Sequence, residues 1–222
     1  TLLDACLRHQ ISRTVHIGTD EVYGSIDVGS WTEDEPLLPN SPYSAAKAAA
    51  EMLVRAYNVT YGLNVSSTRC SNNYGPYQFP EKVIPLFVTN LIDGAKVPLY
   101  GDGLNVRDWL HVDDHCRGIA IVCSSGAPGQ SYNIGGGLEL NNKELTERVL
   151  ETMGVDWSMV QLVEDRKGHD RRYSVNDGRI REIGYEPLHS FDEGLAETVQ
   201  WYRDNEDWWR SLKERAAIKK TR

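Results

Sequence analysis

The sequence predicts an α/β protein. Short β-branched runs alternate with helical apolar spacings along the chain, and the chemically able side chains fall just after the predicted strands. The length of 222 residues agrees, being enough to bury a full core. At roughly 100 to 200 residues per domain, it points to one domain, or one and a smaller second.

Leu2, Leu3, Cys6 and Leu7 have helical spacing and lead into a β-branched strand from Arg13 to Thr19, whose carboxyl end delivers Thr19, Asp20 and Glu21. The first residues carry no initiator Met and no basic segment ahead of an apolar stretch. They read as the middle of a helix, so the chain is expected to begin partway through a longer one. A Gly, Ser, Asp and Pro rich loop covers residues 25 to 42, and Ser41-Pro42 opens a helix over 42 to 61. One face of that helix is small: Ala45, Ala46, Ala48, Ala49, Met52, Leu53 and Ala56 suit core packing and a dimer interface equally. Residues 64 to 70 read as the next strand and 71 to 76 as a loop at its carboxyl end. Helices follow at 83 to 93, 113 to 124 and 142 to 153, with strands near 97 to 100, 107 to 112, 131 to 134 and 159 to 163. The last helices are expected near 177 to 183 and 190 to 214, with Trp201, Trp208 and Trp209 buried against the domain. The run from Asp165 to Tyr173, taken alone, reads as a solvated charged face.

Composition excludes several classes of function. A net charge of −8 argues against a nucleic-acid surface, which needs clustered Lys and Arg. The four cysteines form no C-x-x-C pair, so zinc knuckles and redox dithiols are not expected, and reduced thiols in the cytoplasm are. No apolar run approaches the roughly 18 residues of a membrane span.

Tyr43 and Lys47 lie one helical turn apart and share a face, where an ammonium is expected to lower the phenol's pKa and make it a general base. The spacing alone is weak in a chain with 11 Tyr, and an exposed Tyr and Lys is the competing reading. Asp20 and Glu21 are adjacent carboxyls that can divide into a protonated acid and an ionised base, which an elimination of water requires. A solvated acidic turn is the alternative. Thr19 can bond a substrate hydroxyl or serve the strand end structurally.

Seven segments in order carry a resemblance: Thr19 to Gly24, Ser41-Pro42-Tyr43 with Lys47, Asn72 to Tyr77, Pro80 to Pro85, Arg107-Asp108-Trp109, Tyr132 to Gly136, and Asp165 to Tyr173. Together they resemble the dTDP-glucose 4,6-dehydratase family of extended short-chain dehydrogenase/reductases, from residue 1 to about 210. The resemblance implies the C-terminal part of a doubly wound parallel-sheet (Rossmann) domain plus a smaller α/β substrate-binding domain. Residues 1–75 would hold the remainder of the NAD-binding domain and 76–222 mainly the nucleotide-sugar-binding part, with interleaved segments returning to the Rossmann sheet.

It also implies NAD as cofactor, dTDP-glucose as substrate and a homodimer as the full-length assembly, in deoxysugar biosynthesis for antibiotics or other glycosylated products. By motif, Tyr43 is the base at the C4 hydroxyl, Lys47 its partner on the nicotinamide ribose, Glu21 the base at C5, and Asp20 the acid at the C6 hydroxyl. Thr19 holds the hexose and Asn73 contacts NAD. Asn72, Lys82, Val83, Pro98, Leu99, Tyr100, Arg107, Asn142, Asp165, Arg166, Lys167, Gly168 and His169 resemble the substrate pocket, with no metal. The family's Gly-rich phosphate turn is not in this chain, and Gly135-Gly136-Gly137 matches a segment of the substrate half instead. A fragment of a longer enzyme, inactive alone, is therefore expected. A nucleotide-sugar epimerase or decarboxylase and a non-catalytic remnant are the competing readings.

Overall fold

The structure is a computed structural model that describes residues 1–165 and 170–220. In chain order its elements are α1 (Leu2–Arg8), β1 (Thr14–Thr19), α2 (Pro42–Tyr61), β2 (Val65–Cys70), β3 (Asn72–Tyr74), α3 (Val83–Ile92), β4 (Val97–Tyr100), β5 (Val106–His111), α4 (Val112–Ser125), β6 (Ser131–Ile134), β7 (Glu139–Asn141), α5 (Asn142–Met153), β8 (Val160–Val163), α6 (Gly178–Glu182), α7 (Phe191–Asp204) and α8 (Glu206–Lys220). Short 3-10 turns occupy Asp20–Tyr23 and Trp157–Met159. The chain forms two compact units: Thr1–Asn73, Val106–Glu139 and Asp170–Leu188 make the first, and Tyr74–Asn105, Leu140–His169 and His189–Arg222 the second.

A parallel sheet in the order β1-β2-β6 organises the first unit, with Ile17 opposite Thr68 and Arg69 opposite Asn133. Helices α2 and α4 pack on β1 and β2. The core gathers Leu110, Val122, Tyr132, Ile134, Ile180 and Tyr185, with Val15 and Ile119 against them. Each fully buried aliphatic side chain of this kind contributes about 1.5–3 kcal/mol of transfer free energy. Helix α2 starts and stops where its caps dictate. The Ser41 hydroxyl accepts from Ser44 N at 3.1 Å, Pro42 takes the first helical position, and Gly62 closes the end at φ 66°, its N–H donating to Asn58 O. The Gly triplet has a packing reason at its centre, since a Cβ on Gly136 would lie 1.7 Å from Trp109 O.

In the second unit, β4 and β8 run parallel with Leu99 opposite Leu162, and α3, α5 and α7 pack on one another. Asn141 and Glu144 form a reciprocal capping box at the start of α5. Ile84, Leu145, Leu195, Tyr202 and Trp209 are fully buried, and the Trp209 indole donates to Tyr202 O at 2.7 Å. Trp201 and Trp208 are only half-buried, packing against Tyr77 with ring centroids 4.5 and 5.6 Å away.

Two local expectations change. The stretch expected to be a loop at 71 to 76 contains the short strand β3, and the single helix expected over 190 to 214 is two. Asn205 breaks it at φ −122°, ψ 40°, its side-chain amide donating to Trp201 O at 2.8 Å. An Asn offering the backbone a local bond of this kind competes with helix continuation. Among the described residues no helix is long and apolar enough to cross a membrane.

Candidate active site

Strand β1 approaches β2 closely at its carboxyl end, because a Cβ on Gly18 would stand 2.7 Å from Thr68 O. Thr19 then leaves the strand in an extended conformation and caps the 3-10 turn: its hydroxyl accepts from Glu21 N and donates to Asp20 Oδ1, both at 3.3 Å. The Thr19 hydroxyl is thus engaged in holding the turn. Asp20 is 3% exposed, and its second oxygen, Oδ2, is buried without a hydrogen-bond partner. Burial, then the negative charges of Glu21 and Asp108, push the Asp20 carboxyl up to about 7, against the pull of Arg107 and the Thr19 hydroxyl. Here is a carboxylic acid that holds its proton close to neutrality.

Glu21 accepts a hydrogen bond from Ser44 Oγ at 3.1 Å, and Ser44, wholly buried in the first turn of α2, lies 2.7 Å from Ser41 Oγ. This contact ties the acidic turn to the helix that carries Tyr43 and Lys47. Tyr43 is 56% exposed. Its phenol pKa is raised, by partial burial and then by Glu21, Cys70 and Asp20. The expectation that Lys47 lowers it is therefore corrected. Lys47 donates instead to Ile17 O at 3.3 Å, and the charges acting on the phenol are acidic ones.

Cys70, Asn72, Asn73, Arg107 and Asp108 also belong to the first unit. At the end of β2, the Cys70 thiol donates to Gly18 O at 3.5 Å, and burial pushes it up to about 12, so it is neutral filling and no nucleophile. Asn73 spends its amide on Ser71 O at 3.0 Å and Cys70 Sγ at 3.4 Å, with Asn72 beside it at the start of β3. Asp108 is buried and accepts from Ser71 Oγ at 2.6 Å and from the N–H groups of Gly136 and Leu138, each at 3.0 Å. Arg107 is 8% exposed, donating to Asp170 O at 2.9 Å and Val106 O at 2.6 Å, its guanidinium 4.3 Å from the centre of the Tyr173 ring. Sequence reasoning missed Ser44, Cys70 and Asp108 as members of the site. Ser44 adjoins Tyr43, and Asp108 stands inside the Arg107-Asp108-Trp109 segment, which are the signals that could have found them.

The structure thus brings Thr19, Asp20, Glu21, Tyr43, Lys47, Asn72, Asn73 and Arg107 into the first unit. The remaining described candidates belong to the second. Lys82 is the N-cap of α3 and Val83 its first residue, Pro98, buried Leu99 and Tyr100 lie on β4, and Asn142 opens α5 with its N–H on Asn105 O at 3.1 Å. Asp165 follows β8 on the chain. Arg166, Lys167, Gly168 and His169 lie outside the described residues.

The raised Asp20 pKa fixes a sign for stability against pH. The unfolded carboxyl titrates near 3.8 and the folded one near 7, so between them the folded state holds more protons and stability falls as pH rises. That difference corresponds to on the order of 4 kcal/mol, lost across this window. Asp20→Asn is expected to raise the urea midpoint at pH 8 and leave it little changed at pH 4. A variant that keeps the wild-type dependence on pH would remove Asp20 from this role.

A family model described as GDP-mannose 4,6 dehydratase matches residues 1–198. A dTDP-glucose 4,6-dehydratase of Streptomyces antibioticus is 60% identical over 217 residues, covering 97% of this chain and 65% of its own. The crystal structure of DesIV, a dTDP-glucose 4,6-dehydratase from Streptomyces venezuelae solved with NAD bound, superposes at a TM-score of 0.93 with 62% identity, over 95% of this chain and 66% of that one. A UDP-glucose 4-epimerase of Thermus thermophilus, in complex with NAD, reaches 0.86 at 32% identity. The chain therefore spans about two thirds of the length of the relatives it matches, 65% and 66% of the first two.

Proposed function

The chain belongs to the family described as GDP-mannose 4,6 dehydratase, and from that premise we propose that the full-length protein is an NAD-dependent dTDP-glucose 4,6-dehydratase. It converts dTDP-glucose to dTDP-4-keto-6-deoxyglucose and water, and this chain supplies the acid and base groups. The observation that carries this reading is the pairing of Asp20, buried, raised to about 7 and with one oxygen unpartnered, with Glu21 in the same turn. An epimerase needs the Tyr and Lys but no such second pair.

Tyr43 takes the proton from the C4 hydroxyl. With C4 a ketone, the C5 proton is acidic and Glu21 removes it, held in place by Ser44. Asp20 gives its proton to the departing C6 hydroxyl, which leaves as water, and Glu21 returns a proton to C5 when C6 is reduced. Thr19 shapes the turn that presents both and is assigned to a hexose hydroxyl. NAD, when bound, supplies the acceptor and later the donor of hydride. Tyr43 and Lys47 fit its nicotinamide-ribose end, the phenol being exposed at the first turn of α2 with the ammonium one turn along, and Asn73 is assigned to an NAD contact. Arg107 is assigned to the nucleotide sugar, where an Arg suits a pyrophosphate.

Four unpaired cysteines agree with a reducing compartment, and we place the protein in the cytoplasm. The small face of α2 is largely exposed at Ala45, Ala46, Ala49, Met52, Leu53 and Ala56, which supports pairing of two copies through this helix. Turnover of dTDP-glucose in heavy water by the full-length protein, sedimenting as a dimer, is expected to place deuterium at C5 of a 4-keto-6-deoxy product. Product without deuterium at C5 would exclude the elimination, and a monomeric sedimentation coefficient would exclude the pairing.

A further inference from the structure

Behind the acid and base groups lies a buried charged network that the chemistry does not use. Arg69, the penultimate residue of β2, is 4% exposed, and its partner Glu51 on α2 is 3% exposed. Every N–H of the guanidinium is committed. Nε donates to both Glu51 oxygens at 2.9 and 3.1 Å. Nη2 donates to Glu51 Oε1 and, at 3.4 Å, to Ser131 Oγ, while Nη1 donates to the Tyr23 hydroxyl and to Glu33 O at 3.2 Å. Ser131 closes the circuit by donating to Glu51 at 2.8 Å. Burial pushes the Tyr23 phenol up to about 12, so it stays a hydroxyl, and it donates to Asn133 Oδ1 at 2.9 Å.

The two ends of this network are the two halves of the site. Glu51 stands one helical turn beyond Lys47 and two beyond Tyr43 on the same helix. Tyr23 ends the 3-10 turn that begins with Asp20 and Glu21. We propose that Arg69 is a positioning residue for the reaction, a rigid fork that fixes the Tyr43–Lys47 helix and the Asp20–Glu21 turn at one mutual distance. A planar fork with donors on two sides suits that task, and a lysine's single nitrogen does not. A buried ion pair is poor evidence of stabilisation in itself, since apolar pairs of like volume often replace one at no loss. Its value here lies in geometry, because displacement of a reacting group by about 1 Å can cost on the order of 100-fold in rate. This inference rests on the dehydratase reading for its kinetic consequence but not for its structural one.

The test uses the full-length protein and two variants. Tyr23→Phe cuts the tie to the acidic turn and leaves Arg69–Glu51 whole. It is expected to lower kcat about 10- to 100-fold with KM within about twofold, to leave the rate of the initial oxidation unchanged, and to move the Asp20 carboxyl titration, read by NMR, to lower pH. The groups facing Asp20 in that titration are Glu21, Asp108, Arg107, Tyr43 and Cys70, none of which the substitution alters. Glu51→Met with Arg69→Met cuts both ties while keeping the volume apolar, and is expected to hold its thermal midpoint yet lose at least tenfold in kcat. Wild-type kcat in a folded double variant, or an unmoved Asp20 titration together with unchanged kcat in Tyr23→Phe, overturns the proposal. Equal slowing of every step in Tyr23→Phe, with a lowered midpoint, overturns it too, as a merely structural role. The carboxyl titration needs no turnover, so wild-type protein that makes no product counts against the dehydratase reading while the positioning claim is still decided.

Discussion

Tyr43→Phe in the full-length protein is expected to lower kcat by about 100- to 10,000-fold, the range for losing a general base, with little change in stability or KM. The ring is more than half exposed in this chain and the substitution removes one oxygen, so no buried contact is lost. The helix itself is fixed by other residues, through the Ser41 cap and the buried Ser44. What disappears is the acceptor for the C4 hydroxyl proton. A variant retaining a tenth or more of the wild-type kcat would take the base assignment from Tyr43.

Glu21→Gln is expected to have an effect of similar size on product formation, by a different route. The amide keeps an oxygen for Ser44, so the turn and its link to α2 survive. Proton removal at C5 fails, and exchange of that position with solvent falls by about 100- to 10,000-fold. The first oxidation, by contrast, gains. Glu21 is the foremost charge raising the phenol of Tyr43, and its neutralisation brings the phenol down, moving the pH profile of oxidation to lower pH. The same change relieves Asp20, whose carboxyl titration should fall below about 7. Unchanged C5 exchange in this variant would move the base elsewhere.

The parts of the fold that were legible from sequence are those set by local chemistry. Ser41 and Pro42 state where α2 begins and Gly62 where it ends, and the β-branched run before Thr19 states where β1 delivers its carboxyls. Asp20, Glu21, Tyr43 and Lys47 were readable for the same reason, since each follows a local signal. Long-range electrostatics were not readable. The helical spacing of Tyr43 and Lys47 suggested a lowered phenol pKa, but it cannot report that Glu21 and Asp20, more than twenty residues earlier in the chain, fold against the phenol. Asp108 stood inside a named motif, yet its donors Ser71, Gly136 and Leu138 are distant in sequence, so nothing local marks it as an anchored charge beside Asp20. The break at Asn205 was missed because its helical spacing continues across it; only the side-chain bond to Trp201 O reveals the stop.

Tyr43 is assigned to oxidation and the Asp20–Glu21 pair to elimination, a division of labour within one site. The most direct measurement is single-turnover absorbance of reduced nicotinamide, recorded side by side for full-length Glu21→Gln and Tyr43→Phe mixed with dTDP-glucose. The expected result is a signal that forms and persists in Glu21→Gln and none in Tyr43→Phe. A signal of wild-type amplitude and rate in Tyr43→Phe, or its absence in Glu21→Gln, would contradict the division.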